Sequence, residues 1–406
     1  MITIAAMKLV QFGGGNIGRS FIGALFSRAA WEVVFVDVDP LLVSRLNQAR
    51  YYNVVIKREG RADETRSIGP VRAVDGRDVD LVSEEIATAD MAATSVGKGA
   101  LPKVLPVLAR GLKKRFAQES ERPLDIIIAE NDRTAPALFR KILTQELGAA
   151  YPFTLLVGLV ETSIGKMVPL MRKEDLAEDP LRLFAEEYET LILDKRAFKG
   201  PLPELPGLCP MEPIEAFVDR KLFVHNLGHA AAAYLGYQQD PRERFIAGAL
   251  KLAGVEAGVR SAMNESVNAL ALEYPGAYSR QDLLDYMEDL LFRFKNSALG
   301  DTVHRVGRDL PRKLSRDDRL TGAMLLCAKH NLPFGAIAAV YKAALNFAAT
   351  DEADFGPKGL LFPADAQFRS GDPVQLAEVL QKVSGLDSSN AVDKKVIDLL
   401  MGGSAG

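Results

Sequence analysis

Cysteine is nearly absent. Two occur in 406 residues, Cys209 and Cys327, too few for a disulfide framework. Histidine is almost as scarce, with four. Cys327 has His330 three residues on, but no second such pair completes a zinc set, and no H-E-x-x-H or similar cluster occurs. Neither a disulfide scaffold nor a metal is expected, and a reducing cytoplasm suits the composition. Long hydrophobic runs are lacking too, since none approaches the roughly 18 residues of a membrane span. Charge of one sign is not in excess: 50 Lys and Arg stand against 53 Asp and Glu, a net charge of −3. No nucleic acid and no membrane is therefore expected as a partner. The opening MITIAAMK puts no charged leader before its apolar residues, so no signal peptide is expected. The closing residues 402–406, GGSAG, read as a frayed tail. There is no internal repeat and no low-complexity tract.

What is present is ordinary folded-protein composition, 48% hydrophobic and 25% charged. The length exceeds one comfortable core, so two domains are expected. The first half alternates short apolar runs with helical patterns, the reading of a parallel sheet with crossover helices. Strands are expected at residues 8–13, 32–37, 90–95, 125–129 and 153–160. Several are near-continuous apolar runs, as when both sheet faces are covered. Residues 51–71 break the rhythm and read as extra strands at the sheet edge. The stretch Phe198-Lys-Gly-Pro-Leu-Pro-Glu-Leu-Pro-Gly207 holds three prolines and two glycines in ten residues, so it reads as the irregular interdomain connection. Helical patterns follow it. Ser279-Arg-Gln-Asp282 and Ser315-Arg-Asp-Asp318 look like N-terminal caps, and Asp372-Pro373 like another helix start. The expected architecture is α/β: a parallel-sheet dinucleotide-binding domain over residues 1–200, then a mostly α-helical substrate and catalytic domain over 201–406.

The strongest local signal is Phe12-Gly13-Gly14-Gly15-Asn16-Ile17-Gly18-Arg19, a G-x-G-x-x-G directly after an apolar strand. Gly13 permits a tight turn, Gly15 lets backbone approach a pyrophosphate, and Gly18 allows close packing of the helix that begins there. The second strand ends in Asp37, nineteen residues beyond Gly18, the spacing of a ribose-hydroxyl acceptor. A carboxylate there repels a 2′-phosphate and no Arg follows it, so NAD is favoured over NADP. The strand ends at Thr94-Ser-Val-Gly97 and Ala129-Glu-Asn131 point toward the same edge, where ligands of such sheets collect.

A second constellation lies in Phe217-Val-Asp-Arg-Lys221-Leu-Phe-Val-His-Asn226-Leu-Gly-His229, followed by four alanines. On a helix with Lys221 at zero, His225 falls near about 40°, His229 near about 80° and Asn226 near about 140°. These polar residues share a face that carries no Glu to pair with the lysine. A buried lysine of lowered pKa can serve as base for alcohol oxidation. Asn226 can steady charge on the reacting oxygen, while His229 holds the hydroxyl or relays its proton. None of this chemistry needs a metal.

Together these residues resemble the polyol-specific long-chain dehydrogenases. The likeness rests on the glycine turn, on Lys221-x4-Asn226-x2-His229, and on Asp194-Lys-x-x-Phe198-Lys-Gly-x-Leu-Pro203, Arg220-Lys-Leu-Phe223, Arg305-Val-Gly-Arg308 and Arg312-Lys-Leu-Ser315-x-x-Asp318-Arg-Leu320. It runs to Ser384-Gly-Leu-Asp387 and is finest with members acting on polyol phosphates. The resemblance implies a Rossmann-like domain with a helical partner, and interconversion of D-mannitol 1-phosphate and D-fructose 6-phosphate with NAD. It further implies Lys221 as general base, Asn226 and Asn131 as an oxyanion hole, and His229 beside the substrate. Residues 305–319 hold six Arg or Lys against three Asp, so Arg305, Arg308, Arg312 and Lys313 are candidates for the substrate phosphate. The chain departs from the polyol-phosphate pattern at Glu161-Thr-Ser-Ile-Gly-Lys166, at Thr190-Leu191 and at His225. Alternatives are a polyol or aldonate dehydrogenase of the same family and a non-catalytic NAD-binding sensor. A 6-phosphogluconate-dehydrogenase-like enzyme is disfavoured, because its lysine and asparagine lie one residue closer. A monomer or homodimer is expected.

Overall fold

The computed structural model describes residues 7–118, 121–169, 171, 173–349 and 373–402. The expected tail after residue 402 and the cap at Asp372 lie outside them. Among the described residues the chain forms two compact units, Met1–Phe217 and Val218–Gly406.

Eleven strands are described, all in the first unit: β1 Lys8–Phe12, β2 Glu32–Asp37, β3 Tyr52–Ile56, β4 Glu64–Ile68, β5 Val71–Asp75, β6 Met91–Thr94, β7 Leu124–Ile128, β8 Val157–Ile164, β9 Leu183–Ala185, β10 Leu191–Asp194 and β11 Leu208–Met211. Eight of them form one sheet in the order β11-β10-β8-β7-β6-β1-β2-β5. Every neighbouring pair is parallel except β8 with β10. The apolar runs are continuous because both faces are covered. Leu9, Val33 and Phe35 point into one core, while Val10, Val34 and Val36 point into the other. Helices Val79–Thr88, Leu101–Ala117 and Ala135–Leu147 supply crossovers between parallel strands. The strand order reverses at β1, flanked by β2 on one side and β6 on the other, the position at which such sheets open a ligand crevice.

Three sequence expectations are corrected. Residues 153–156 form a helical turn, Phe153–Leu156, and the strand runs over Val157–Ile164. Pairing with β7 begins at Leu124 with Val157, so the preceding residues have no ladder partner. Residues 51–71 do form strands, but β3 and β4 build a separate sheet with β9, in the order β4-β3-β9. The edge of the large sheet is β5 instead. Tyr52 anchors the small sheet over the first βα turn: its ring meets Phe35 edge-on at 5.9 Å and its hydroxyl donates to the Arg19 carbonyl at 2.7 Å. Finally, Ser315 caps no helix. Its hydroxyl donates to the Arg312 carbonyl, Asp318 is taken by arginines, and the next helix starts only at Thr321.

The Pro/Gly-rich stretch 198–207 is irregular, as its composition dictates, and joins β10 to β11 within the first unit. The second unit is helical throughout, apart from an isolated bridge between Phe245 and Thr302. Its centre is the run Leu227–Gln239 packed on Val255–Glu273. Ala230 through Ala233 are wholly buried, and a Cβ on Gly228 would lie 2.5 Å from Met263 Sδ. The small residues there serve close helix approach. The expected capping box at Ser279 is present, with the hydroxyl taking the Asp282 amide and the Asp282 carboxylate reaching back to the Ser279 amide. No helix among the described residues is long and apolar enough to cross a membrane.

Candidate active site

In the first unit, backbone geometry dominates. Gly13 follows β1 with φ +89°, and a Cβ there would sit 2.6 Å from the Ser95 carbonyl oxygen. A Cβ on Gly18 would approach the Gly13 carbonyl oxygen to 2.0 Å, so the helix can start this close to the strand only without a side chain. Gly15 differs: nothing lies within 4 Å of its Cβ direction, and with Asn16 and Ile17 it forms the accessible tip of the turn while Phe12, Gly13, Gly14 and Gly18 are buried. The turn thus leaves a cradle beside exposed backbone. Its amides open a helical stretch whose next six residues, Gly18–Gly23, form a π-helix.

Asp37 ends β2 and binds the turn directly. Its Oδ2 accepts from the Gly14 amide at 2.7 Å, and its Oδ1 accepts from the Asp39 amide at 3.0 Å. Arg19 closes the turn from below, donating to the carbonyls of Gly14 and Leu181. Thr94 ends β6 fully buried, and its Oγ1 has no partner among the described residues. Asn131 lies exposed in the bend after β7. The sequence reading overlooked Glu130, whose carboxylate accepts from the amides of Val96 at 3.0 Å and Gly97 at 2.8 Å and pins the loop after β6. Its position between two strand-end motifs was the available signal.

In the second unit, side chains dominate. The helix expected around Lys221 is present, but it is not a regular α-helix. The segment Ile214–Arg220 is α-helical, Lys221–Asn226 is one π-helical segment, and Leu227–Gln239 is α-helical again. The Leu227 amide reaches back five residues to the Leu222 carbonyl. Such an inserted residue is frequent at functional sites. It shifts the face that a regular wheel would draw. Lys221, Asn226 and His229 keep part of their surface, whereas Leu222, Phe223, Val224 and His225 are buried. His225 therefore parts from the polar face, only 5% exposed, with Nδ1 unpartnered and its ring against Phe294 at 5.5 Å. Burial, helped by nearby Arg293, holds it well below the ordinary histidine range, so the ring is neutral.

Lys221 is the residue most altered by this setting. Burial foremost, with the Arg319 charge next and Arg312 in the same sense, brings its ammonium down to about 8 against the pull of Asp318. Arg319 and Asp318 lie some hundred residues away in sequence and are joined by a 2.6 Å ion pair. Arg319 also reaches the Asn226 carbonyl at 3.5 Å, which ties the π-helical turn to this charged cluster. Neither residue was named as a site candidate, although both fall inside a stretch quoted for the resemblance. Nothing local reveals that they face the lysine. His229 has Phe294 and Asp301 beside it. Its ring stacks on Phe294 at 4.8 Å and 8°, and Nε2 lies 3.2 Å from Asp301 Oδ2.

The basic residues of 305–319 divide sharply. Arg305 pairs with Asp301, Arg312 with Asp309 and Asp318, Arg316 with Asp393, and Arg319 with Asp318. Lys313 is buried, donates to the Val306 carbonyl, and is pushed well below its ordinary value by desolvation. Arg308 is half-buried, and its guanidinium has no partner among the described residues. Among those residues no group of three or more His, Cys, Asp or Glu side chains is arranged to hold a metal ion.

Known proteins resemble this chain along nearly its whole length. It is 33% identical over 334 residues to mannitol-1-phosphate 5-dehydrogenase of Buchnera aphidicola subsp. Acyrthosiphon pisum, covering 82% of this chain and 84% of the relative. The enzyme of that name from Brevibacillus brevis is 33% identical over 350 residues, 86% and 88% of the two chains. Among solved structures, a substrate-free D-sorbitol dehydrogenase shares the fold with a TM-score of 0.73 at 18% identity, over 97% of this chain and 93% of that one. Mannitol 2-dehydrogenase of Pseudomonas fluorescens, solved with NAD and D-mannitol, does so with 0.71 at 15%, over 98% and 91%. Residues 7–207 match the model of the mannitol dehydrogenase Rossmann domain, and residues 213–387 match that of the mannitol dehydrogenase C-terminal domain. The chain belongs to the mannitol dehydrogenase family of oxidoreductases.

Proposed function

We propose that this protein interconverts D-mannitol 1-phosphate and D-fructose 6-phosphate with NAD, using Lys221 as the general base and no metal. The observation that carries the reading is the lysine itself. An ammonium brought down to about 8 by desolvation and by Arg319 is neutral in a useful fraction near working pH. A lysine on a solvated helix face has no such setting.

The glycine turn fits a dinucleotide. Nothing lies within 4 Å of a Cβ on Gly15, room that a pyrophosphate would need, and a helical stretch whose first amides would serve its charge begins directly after it. Asp37, whose carboxylate also accepts from the Gly14 and Asp39 amides, would accept from a ribose diol and disfavour a 2′-phosphate. Bound NAD would supply the hydride acceptor. In polyol oxidation Lys221 takes the hydroxyl proton, the side chains of Asn226 and Asn131 donate to the carbonyl oxygen as it forms, and His229 orients the substrate hydroxyl. In the reverse direction the lysine ammonium returns the proton.

Arg308 carries the phosphate. Its neighbours in the basic segment are committed to carboxylates or carbonyls, whereas it keeps a fork of donors without a protein partner among the described residues. The likeness to two mannitol-1-phosphate 5-dehydrogenases supports a phosphorylated substrate.

The test is NADH oxidation by the purified protein with fructose 6-phosphate, beside fructose, tagaturonate and fructuronate. Turnover confined to fructose 6-phosphate is expected. Turnover on a sugar acid or free ketose instead would keep Lys221 and remove the phosphate role of Arg308. No turnover with any of them, with NAD still bound, would favour the sensor.

A further inference from the structure

We propose that Gln11 is a positioning residue of the dinucleotide crevice: its buried side-chain amide ties the glycine turn after β1 to the loop after β6 and fixes the gap between these two walls. The inference rests on the NAD reading above, which puts the cofactor at this edge of the sheet.

A glutamine inside an otherwise apolar strand needs a reason. Gln11 is wholly buried in β1, between Val10 and Phe12, and burying an amide costs free energy unless its groups are partnered. Its Nε2 meets three acceptors: the Phe12 carbonyl at 2.6 Å, the Gly13 carbonyl at 3.3 Å and the Ser95 hydroxyl at 3.0 Å. Two of these are carbonyls, which only accept, so the nitrogen end of the amide is the one that faces them. Its Oε1 has no hydrogen-bond partner among the described residues. An apolar residue of similar size would fill the strand without that orphaned acceptor. What it could not do is donate to both walls at once.

The acceptors belong to the two sides of the crevice where the strand order reverses. Phe12 and Gly13 carry the chain from β1 into the glycine turn, while Ser95 opens the loop after β6. The contacts there leave no slack. A Cβ on Gly13 would lie 2.6 Å from the Ser95 carbonyl oxygen. One on Gly18 would lie 2.0 Å from the Gly13 carbonyl oxygen and 3.0 Å from Ser95 Oγ. The carbonyl and the hydroxyl that Gln11 holds are thus the surface on which the start of the helical stretch rests. The Ser95 amide donates to the Phe12 carbonyl at 2.9 Å, and Glu130 takes the next two amides of the loop, Val96 and Gly97. The loop is therefore fastened on the β1 side by Gln11 and on the β7 side by Glu130. Loss of the Nε2 donor lets the Gly13 carbonyl and Ser95 shift, and the amides of the turn shift with them. The consequence falls on dinucleotide affinity.

The test uses the full-length protein, with NADH as the probe. Gln11→Met is close in volume and removes the donor and the orphaned acceptor together. It should weaken NADH binding, read by fluorescence titration, about tenfold, and raise the KM for NADH in step while kcat at saturating NADH is kept. Its thermal midpoint should move by no more than about 2–4 °C. Ser95→Ala removes one acceptor from the other wall and should weaken NADH in the same sense. The double variant should lose less than the sum of the two, as for two ends of one contact. Unchanged NADH affinity in Gln11→Met, or full additivity with Ser95→Ala, would overturn the proposal. A wild type that binds no NADH would overturn the cofactor reading and this inference together, whereas wild-type binding that Gln11→Met leaves intact would sink this inference alone.

Discussion

The glycine turn after β1 and the π-helical turn at Lys221 are the two corners to which function is assigned in the proposal above, yet they are built on different principles. The first is made of backbone. Gly13 and Gly18 are required by contacts of 2.6 and 2.0 Å that a Cβ would make, and the one carboxylate involved, Asp37, sits at a fixed strand end. The second is made of side chains whose properties come from elsewhere. Lys221 is shifted by burial and by residues near position 319, Asn226 is tied there through its carbonyl, and His229 lies against residues 294 and 301. A backbone site is a matter of local spacing, whereas a side-chain site depends on which distant segments fold against it.

The largest expected effect tests the side-chain corner. Lys221→Ala should lower kcat by about 10²- to 10⁴-fold, the usual contribution of a general base, while NADH binding, read by fluorescence, is retained. Loss of NADH binding in that variant would break the separation between the two corners. Arg308→Ala should raise the KM for fructose 6-phosphate by about 10- to 100-fold, in line with one lost charge-assisted contact. Its thermal midpoint should not move, because the side chain has no protein partner among the described residues. Arg312→Ala makes the contrast sharper, since it breaks ion pairs to Asp309 and Asp318 and should alter the pH profile through Lys221.

The backbone corner yields a paired prediction. Gly18→Ala forces a Cβ against the Gly13 carbonyl and should cost about 1–3 kcal/mol of stability as overpacking. Gly15→Ala meets nothing within 4 Å and should leave the thermal midpoint unchanged, yet weaken NADH about tenfold by filling the cradle. Equal destabilisation by both would mean the turn is only structural.

The smallest effects concern pH and the thermal midpoint. With Lys221 as the proposed base, which must be neutral for polyol oxidation, kcat/KM in that direction should rise through about pH 8 and level off, while ketose reduction falls over the same range. The linkage has the opposite sense to a salt bridge. The folded-state value lies below the unfolded one, so the unfolded chain binds the extra proton between the two. The destabilisation is fully present below about pH 8 and is relieved as pH rises toward the unfolded value. Lys221→Met, which removes the buried charge, should therefore raise the midpoint at neutral pH by about 2–4 °C, measured by calorimetry.

The architecture was legible where periodicity and local rules act. The runs of β1, β2, β6 and β7 were recognisable because both faces of the sheet are covered, and the capping box at Ser279 because its two partners are three residues apart. Legibility failed where the partner is remote. The pairing of β3 with β9 joins residues near 54 to residues near 183, so the edge placement of 51–71 was wrong. Ser315 and Asp318 imitate a cap but are drawn to Arg312 and Arg319. A regular helical wheel grouped His225 with Lys221, and the inserted π-residue undid that grouping.

The sequence by itself determined the dinucleotide turn, its acidic strand end, and the triplet of lysine, asparagine and histidine, because each rests on short-range spacing along one strand or helix. Tertiary structure decided the lysine's basicity, the burial of His225, the stacking of His229 on Phe294, and which arginine stays open among the described residues. Those follow from desolvation and from Coulomb interactions between groups about a hundred residues apart, which take their values only when the chain has folded.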